Sequence, residues 1–229
     1  MKAEKSGEFV VLLGGDHCGK SSIINTIKCN PEWRVISKET VVADEPTALL
    51  KTIEQVFFNI IAKDQYNQYP SDFLLSGFQM ILSYMVRQIG ECNHQTNVLV
   101  DSYYYKVIAK CILRKWINNN IFDIWRAFPQ PDKVLFIDSS PYTMWQHSNN
   151  GKKSNPFEYY GHDRTLNDFY RFQRDLRDTM LAEITAVPTI LIDGNRDLDT
   201  IIADIYTHVP GDSIFSPLNN AESFHITQT

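Results

Sequence analysis

The chain has 229 residues, 43% of them hydrophobic and 21% charged, a balance that supports a buried core and excludes a disordered or low-complexity scaffold. Its formal net charge of −5 and pI near 5.7 argue against a general binder of nucleic acid or anionic membrane. No apolar stretch reaches the roughly 18 residues of a membrane span; FLLSGFQMILSYMV at 73–86 is too short and carries polar residues.

In chain order, MKAEKSGEF lacks an apolar signal core. Cys18, Cys29, Cys92 and Cys111 form no CxxC pair or zinc spacing. Free thiols in a reducing cytosol are the expectation. EFVVLLG at 8–14 reads as a buried strand and 19–29 as a helix; RVISKETVVA at 34–43 is a strand in part, followed by helical spacing at 47–64 and 71–89. NVLVD at 97–101, KVLFID at 133–138 and TILIDG at 189–194 are further β-branched runs, separated by helical stretches at 103–119, 141–148 and 164–185 and followed by one at 196–208. Strands alternating with helices specify an α/β fold, a mostly parallel sheet with helices on both faces. Pro210 and Gly211 mark the end of a single domain over 1–210, leaving 211–229 as a surface tail without a catalytic role.

Ligands in such sheets sit beyond the carboxyl ends of the strands, which directs attention to GGDHCGKSS, DEPT, DSYYYK, the four residues from Asp138 to Pro141, and DGNRD. The first contains G-x-x-x-x-G-K-S/T between a strand and a helix, the context that a phosphate loop requires. Gly14, Gly15 and Gly19 let the backbone wrap phosphate oxygens, with His17 and Cys18 between them, and the first helical amides point their partial positive charge at the anion. Lys20 would reach the terminal phosphates of ATP, Ser21 would offer its hydroxyl to Mg2+, and Ser22 would add a hydrogen bond. Asp101 closes an apolar strand, where an acidic residue helps hold the metal or caps the following helix. Asp138 and Asp193 read as capping or loop-setting groups, and SSP at 139–141 as a helix start.

With these segments in view, the chain resembles the thymidylate kinases among the nucleoside monophosphate kinases, over nearly its whole length to about residue 208. GGDHCGKSS is similar to that family's phosphate loop, including Asp16; DEPT at 44–47 resembles its R-E-P segment, FLLSGFQM its acceptor-site helix, and VDSYYYKVIAK at 100–110 its D-R-Y segment. QPDKVLFID, with the three residues that follow it to Pro141, is similar to the family's P-D-x-x-x-x-L-D segment. The resemblance implies the P-loop NTPase fold with a five-stranded sheet, a lid at about 147–165, a homodimer, and transfer of the γ-phosphoryl group of ATP to dTMP. Lys152, Lys153 and Arg164 lie where the lid would close over the phosphates. Arg164 is the first choice for a transition-state cation and Arg174 the second, while Arg171 and Arg177 read as a solvated helix face. His17 reads as a loop hydrogen-bonder rather than a base.

Three departures concern the acceptor. The family's arginines before Glu-Pro, after the strand-end aspartate and on the acceptor-site helix correspond here to Asp44, Ser102 and Gln79. Losing one partner of a desolvated charged pair costs about 2–5 kcal/mol, so a monophosphate is expected to be a poor acceptor unless basic groups elsewhere in the sequence fold back into the pocket. A hydroxyl of a nucleoside or related small molecule, or a cationic acceptor, fits the carboxylates better, with Asp16 or Asp44 as the base for a hydroxyl and Glu45 fixing the loop. The tyrosines at 103–105 cannot all face one way on a helix, so one or two are core and one, Tyr105, lines the pocket as the family's tyrosine does. Asp44 in a surface ion pair is the alternative for that residue. Other readings of the chain are a true nucleoside monophosphate kinase and a nucleotide-binding regulatory protein. The apolar helix around 73–86 would bury against a second subunit or within the core.

Overall fold

The structure, a computed structural model, describes residues 7–37, 55, 69–93 and 95–209. Asp44, Glu45, most of the segment expected to form a helix over 47–64, and the tail at 211–229 lie outside the described residues. Among those described, no helix is long and apolar enough to cross a membrane.

Five strands, β1 (Phe9–Gly14), β2 (Trp33–Ile36), β3 (Asn97–Asp101), β4 (Lys133–Asp138) and β5 (Thr189–Asp193), form one sheet in the order β2-β3-β1-β4-β5. Every pairing is parallel, with Leu12 opposite Asp101 and Gly14 opposite Ile137. The period of two sorts each strand between two cores. Val11 and Leu13 of β1 join one cluster with Val98, Val100, Val134 and Phe136, whereas Val10 and Leu12 join the other with Leu99, Leu135 and Ile137. Burying each such side chain contributes about 1.5–3 kcal/mol, so register and strand order are fixed together.

The first cluster is covered by α2 (Ser71–Gly90), α3 (Tyr103–Leu113), α4 (Asn119–Arg126) and α6 (Leu166–Glu183). The second is covered by α1 (Lys20–Ile27) and α7 (Leu198–His208), with Met144 of the short α5 (Pro141–His147). Thus helices lie on both faces of the sheet.

The segment expected to be a single helix over 103–119 ends at Leu113; the chain passes through Lys115 at φ 60° and restarts as α4, where Asn118 accepts a hydrogen bond from the Ile121 amide. Burial of Phe122 and Trp125 beneath α2 holds this second helix despite its run of poor helix formers.

The layout puts the loop after β1 at the centre of the carboxyl edge. Asp101 of β3 stands on one side of it and Asp138 with Ser139 on the other.

Candidate phosphoryl-transfer site

The loop from Gly14 to Gly19 turns from β1 into α1 in a left-handed backbone at His17 (φ 61°) and Gly19 (φ 95°). Gly19 caps α1 without a side-chain hydrogen bond, and a Cβ built on it would meet nothing within 4 Å. No side chain caps the first amides of the helix, although those of Ser22 and Ile23 donate to the Gly19 carbonyl at 3.1 and 3.3 Å; a helix start left open in this way is a site for anions. Ser21 and Ser22 are exposed on the first turn. Cys18 is buried, and its carbonyl accepts from Ser139 Oγ at 3.3 Å, tying the loop to the end of β4.

Lys20 Nζ donates to the carbonyls of Gly14 at 3.2 Å and Gly15 at 3.0 Å and lies 3.6 Å from Cys18 Sγ. Burial works against its charge, but Cys18, Asp101 and Asp16 outweigh that penalty and hold its pKa above the ordinary lysine value. Its ammonium is therefore charged at neutral pH and lies in the loop itself.

Asp16 is 8% exposed and fully engaged. Oδ1 receives Lys106 Nζ at 2.9 Å and Lys110 Nζ at 3.0 Å, while Oδ2 receives Gln173 Nε2 at 3.1 Å. Gln173 Oε1 also accepts from the Asp16 amide at 2.9 Å, and Gln173 Nε2 reaches Glu158 O at 3.1 Å. Burial alone would raise the Asp16 pKa; Lys106 and Lys110 reverse this and hold it well below the usual carboxylate range. A carboxylate so stabilised is a weak proton acceptor, and in this geometry Asp16, expected from sequence as a candidate base, serves as the anchor of two lysines and Gln173. Lys106 is pushed down to about 8 by burial, with Lys20 and Lys110 adding to the effect and Asp16 opposing it.

Asp101 accepts from Ser102 Oγ at 2.8 Å, and its second oxygen has no hydrogen bond among the described residues. Ser102 and Tyr103 are both left-handed, at φ 63° and 44°, a strained start to α3 that is rare for a bulky residue. A hydroxyl on Ser21 and a partly free carboxylate on Asp101 are hard oxygen donors and fit Mg2+. No cluster of three or more His, Cys, Asp or Glu that could hold a metal by itself occurs among the described residues.

Other residues expected in the acceptor site are occupied elsewhere. Gln79 accepts from Trp125 Nε1 and donates to Ser83 Oγ at 2.7 Å, so its amide joins α2 to α4. Tyr105 is 1% exposed; its hydroxyl and that of Tyr104 meet Gln130 Oε1, and the hydroxyl of Tyr103 meets the Pro129 carbonyl. All three tyrosines are core residues, because α3 is covered on several sides.

Over the expected lid, Glu158 and His147 are the described residues that reach the phosphate loop. Glu158 Oε2 is 2.8 Å from His17 Nε2, and His147 Nδ1 lies 3.0 Å from the His17 carbonyl. Arg164 is exposed, donates to the Lys152 carbonyl at 3.1 Å and lies over the Tyr159 ring; Lys152 and Lys153 are exposed. Arg174 pairs with its neighbour Asp175, and Arg171 pairs with Asp168. Arg177 does more than cover a surface: it forks onto Asp138 with two contacts of 2.7 Å. Asp193 sets its loop by accepting from Asn195, as expected.

Sequence reading missed Lys106, Lys110, Gln173 and Glu158. The lysines carried one faint signal, spacing of four residues on a helix that begins beside Asp101.

No protein-family model matches the chain, and no curated protein sequence matches it. Solved structures do. Thymidylate kinase from Candida albicans is 16% identical with a TM-score of 0.58, over 89% of this chain and 91% of that one. Deoxyadenosine kinase from M. mycoides with bound dATP is 14% identical with a TM-score of 0.55, over 87% and 97%. The same enzyme with dCMP and dCDP bound is 13% identical with a TM-score of 0.58, over 87% and 97%. The chain thus has the P-loop fold of nucleoside and nucleotide kinases.

Proposed function

We propose that the protein is a P-loop phosphotransferase that moves the γ-phosphoryl group of ATP to a small acceptor of the nucleoside or nucleotide class. The observation that carries this reading is the uncapped amino end of α1 beside the buried ammonium of Lys20 and the carboxylate of Asp101. Gly14, Gly15, His17, Cys18, Gly19, Ser21 and Ser22 would hold the nucleotide, with Lys152 and Lys153 on a lid over 147–165. Ser21 and Asp101 would hold Mg2+, which when bound neutralises charge on the phosphates.

The acceptor of this reaction is a hydroxyl. In support of this, two positions of the arginine clamp implied by the family resemblance carry neutral side chains with other partners: Ser102 serves Asp101, and Gln79 serves Trp125. Asp44 or another group near the loop would then take the hydroxyl proton. One observation favours a monophosphate acceptor instead. Lys106 and Lys110 bring two ammoniums to Asp16, and they are basic groups that fold back toward the loop.

The experiment is Mg2+-dependent ADP release against a panel of dTMP, other monophosphates, free nucleosides and amino-alcohols, with Asp44→Arg plus Ser102→Arg for comparison. Turnover with nucleosides but not monophosphates supports the hydroxyl reading, and efficient turnover of dTMP supports the second. ATP bound tightly with no productive acceptor would replace both by a regulatory role. A cytoplasmic homodimer belongs to the same proposal; Phe73 and Met80, exposed one heptad apart on α2, are an apolar face suited to it, and sedimentation is the test.

A further inference from the structure

Three ammoniums, Lys20, Lys106 and Lys110, share two carboxylates, Asp16 and Asp101, around the phosphate loop. The chain as a whole is acidic, so this gathering of ammoniums is a feature of the site and not of the composition; the Glu158 carboxylate also reaches the loop, but on His17. Lys106 and Lys110 share a single carboxylate oxygen of Asp16, and an incoming polyanion offers each ammonium an acceptor of its own.

The two lysines of α3 are not equivalent. The Lys106 side chain is 12% exposed and that of Lys110 is 19% exposed. Lys106 interacts electrostatically with Lys20 and Cys18, inside the loop, as well as with Asp16 and Lys110. Should Lys106 leave Asp16, that carboxylate keeps Lys110 and Gln173 as partners. Meanwhile the cations of the expected lid have other positions, with Arg164 on the Lys152 carbonyl and Lys152 and Lys153 in solvent.

We infer that Lys106 is a catalytic residue, an ammonium parked on Asp16 that moves to the oxygens of the migrating phosphoryl group. This rests on the phosphotransferase reading above. In the step, the acceptor oxygen forms a bond to the γ-phosphorus while the bond from that phosphorus to the β–γ bridging oxygen breaks. The electron pair of the broken bond leaves with ADP, and a hydroxyl acceptor releases its proton to a base or to water. Lys106 keeps its own protons and stabilises the charge on the phosphoryl oxygens. Lys110 and Gln173 are positioning residues that hold Asp16 in place when Lys106 departs.

The test compares wild type with Lys106→Ala, Lys106→Gln and Lys106→Arg, after thermal melting has identified the folded variants. Two readouts are used: kcat for phosphoryl transfer, and the gain in ADP affinity on adding aluminium fluoride, which mimics the planar phosphoryl group. Lys106→Ala is expected to bind ADP like wild type, to lose about 10²-fold or more in kcat, and to lose most of the fluoride gain. Ethylammonium in solution is expected to restore part of its rate, and Lys106→Arg to retain part. Wild-type kcat and fluoride gain in both neutral variants would overturn the assignment. A wild type with neither turnover nor fluoride gain would overturn the phosphotransferase reading, and the role of Lys106 with it.

Discussion

Glu158 Oε2 lies 2.8 Å from His17 Nε2, joining the segment after α5 to the phosphate loop across 141 residues of sequence. The same carboxylate closes a capping box with Asn155, accepting from its side chain at 2.6 Å and its amide at 3.2 Å. Removing it frees the turn at Pro156–Glu158 and the loop at once. Glu158→Ala is expected to cost about 1–3 kcal/mol in urea denaturation, the usual consequence of stripping partners from poorly exposed polar groups. Amide hydrogen exchange over 155–160 should accelerate in this variant and much less in Glu158→Gln. Unchanged exchange would mean that the strap is held by Arg114, which donates to the Pro156 and Tyr159 carbonyls.

Lys20 lies folded onto the Gly14 and Gly15 carbonyls. Reaching a phosphate requires the ammonium to exchange those carbonyls for phosphate oxygens, which bind it more strongly because the acceptor is charged. Lys20→Met is therefore expected to lower phosphoryl transfer by about 10²-fold or more, with a smaller effect on the melting temperature. Stopped-flow or coupled assays of ADP release give the first quantity and calorimetry the second. A variant as active as wild type would remove Lys20 from the chemistry.

The pH dependence follows from Lys106. In the free protein it loses its proton near 8, among Asp16, Cys18 and Lys20 of the loop region and Lys110 of its own helix. The protonated form is the one that stabilises phosphoryl charge, so kcat/KM is expected to fall as pH rises through about 8, since this ratio reports the free enzyme. The corresponding limb of kcat should lie higher, because bound phosphates favour the ammonium. Stability moves the other way. Between about 8 and the ordinary 10.5 the unfolded chain binds more protons at this position, so this group makes stability rise with pH. Loss of rate without loss of structure in that window is the signature, and Lys106→Arg should abolish the limb.

Gly14 shows why the first residue of the loop must lack a side chain. Its φ is 155°, and a Cβ there would stand 2.7 Å from the Ile137 carbonyl oxygen and 2.8 Å from Cys18 Sγ. Backbone of β4 cannot move aside without disturbing the sheet. Gly14→Ala is expected to destabilise the fold by about 1–3 kcal/mol and to weaken ATP binding measured by calorimetry. Wild-type binding would imply that the loop relaxes around the added methyl group.

Much of this architecture was legible because it is local. β3 and β4 run over the residues that NVLVD and KVLFID delimit, and α5 starts at Pro141 with Ser140 as its cap. The phosphate loop was legible because consecutive residues carry its mechanism. What escaped is set by long-range contact. Lys110 meets Asp16 across 94 residues and Gln173 meets it across 157, and no periodicity within α3 or α6 identifies the partner. The burial of Tyr105 was hidden for a related reason, because the pattern of α3 does not reveal how many sides neighbouring helices cover. α4 was missed where Asn118, Asn119 and Asn120 weaken the helical signal, although Asn118 is the cap.

Gln173 offers the sharpest test of how the site is held together. It is fully buried and binds the Asp16 amide, the Asp16 carboxylate and the Glu158 carbonyl. Leucine has similar volume but leaves all three groups without that partner in a site closed to water. Each orphaned group costs about 1–3 kcal/mol, partly relieved for Asp16 by its lysines, so Gln173→Leu is expected to destabilise the protein by roughly 2–5 kcal/mol. At this chain length that lowers the melting temperature by about 4–20 °C. A double-mutant cycle with Asp16→Asn separates packing from the polar network. Strong coupling is expected, since Asp16 and Gln173 share two hydrogen bonds. Additive costs would show that Gln173 acts only by filling space, and that the lysines alone hold the Asp16 side chain of the phosphate loop in place.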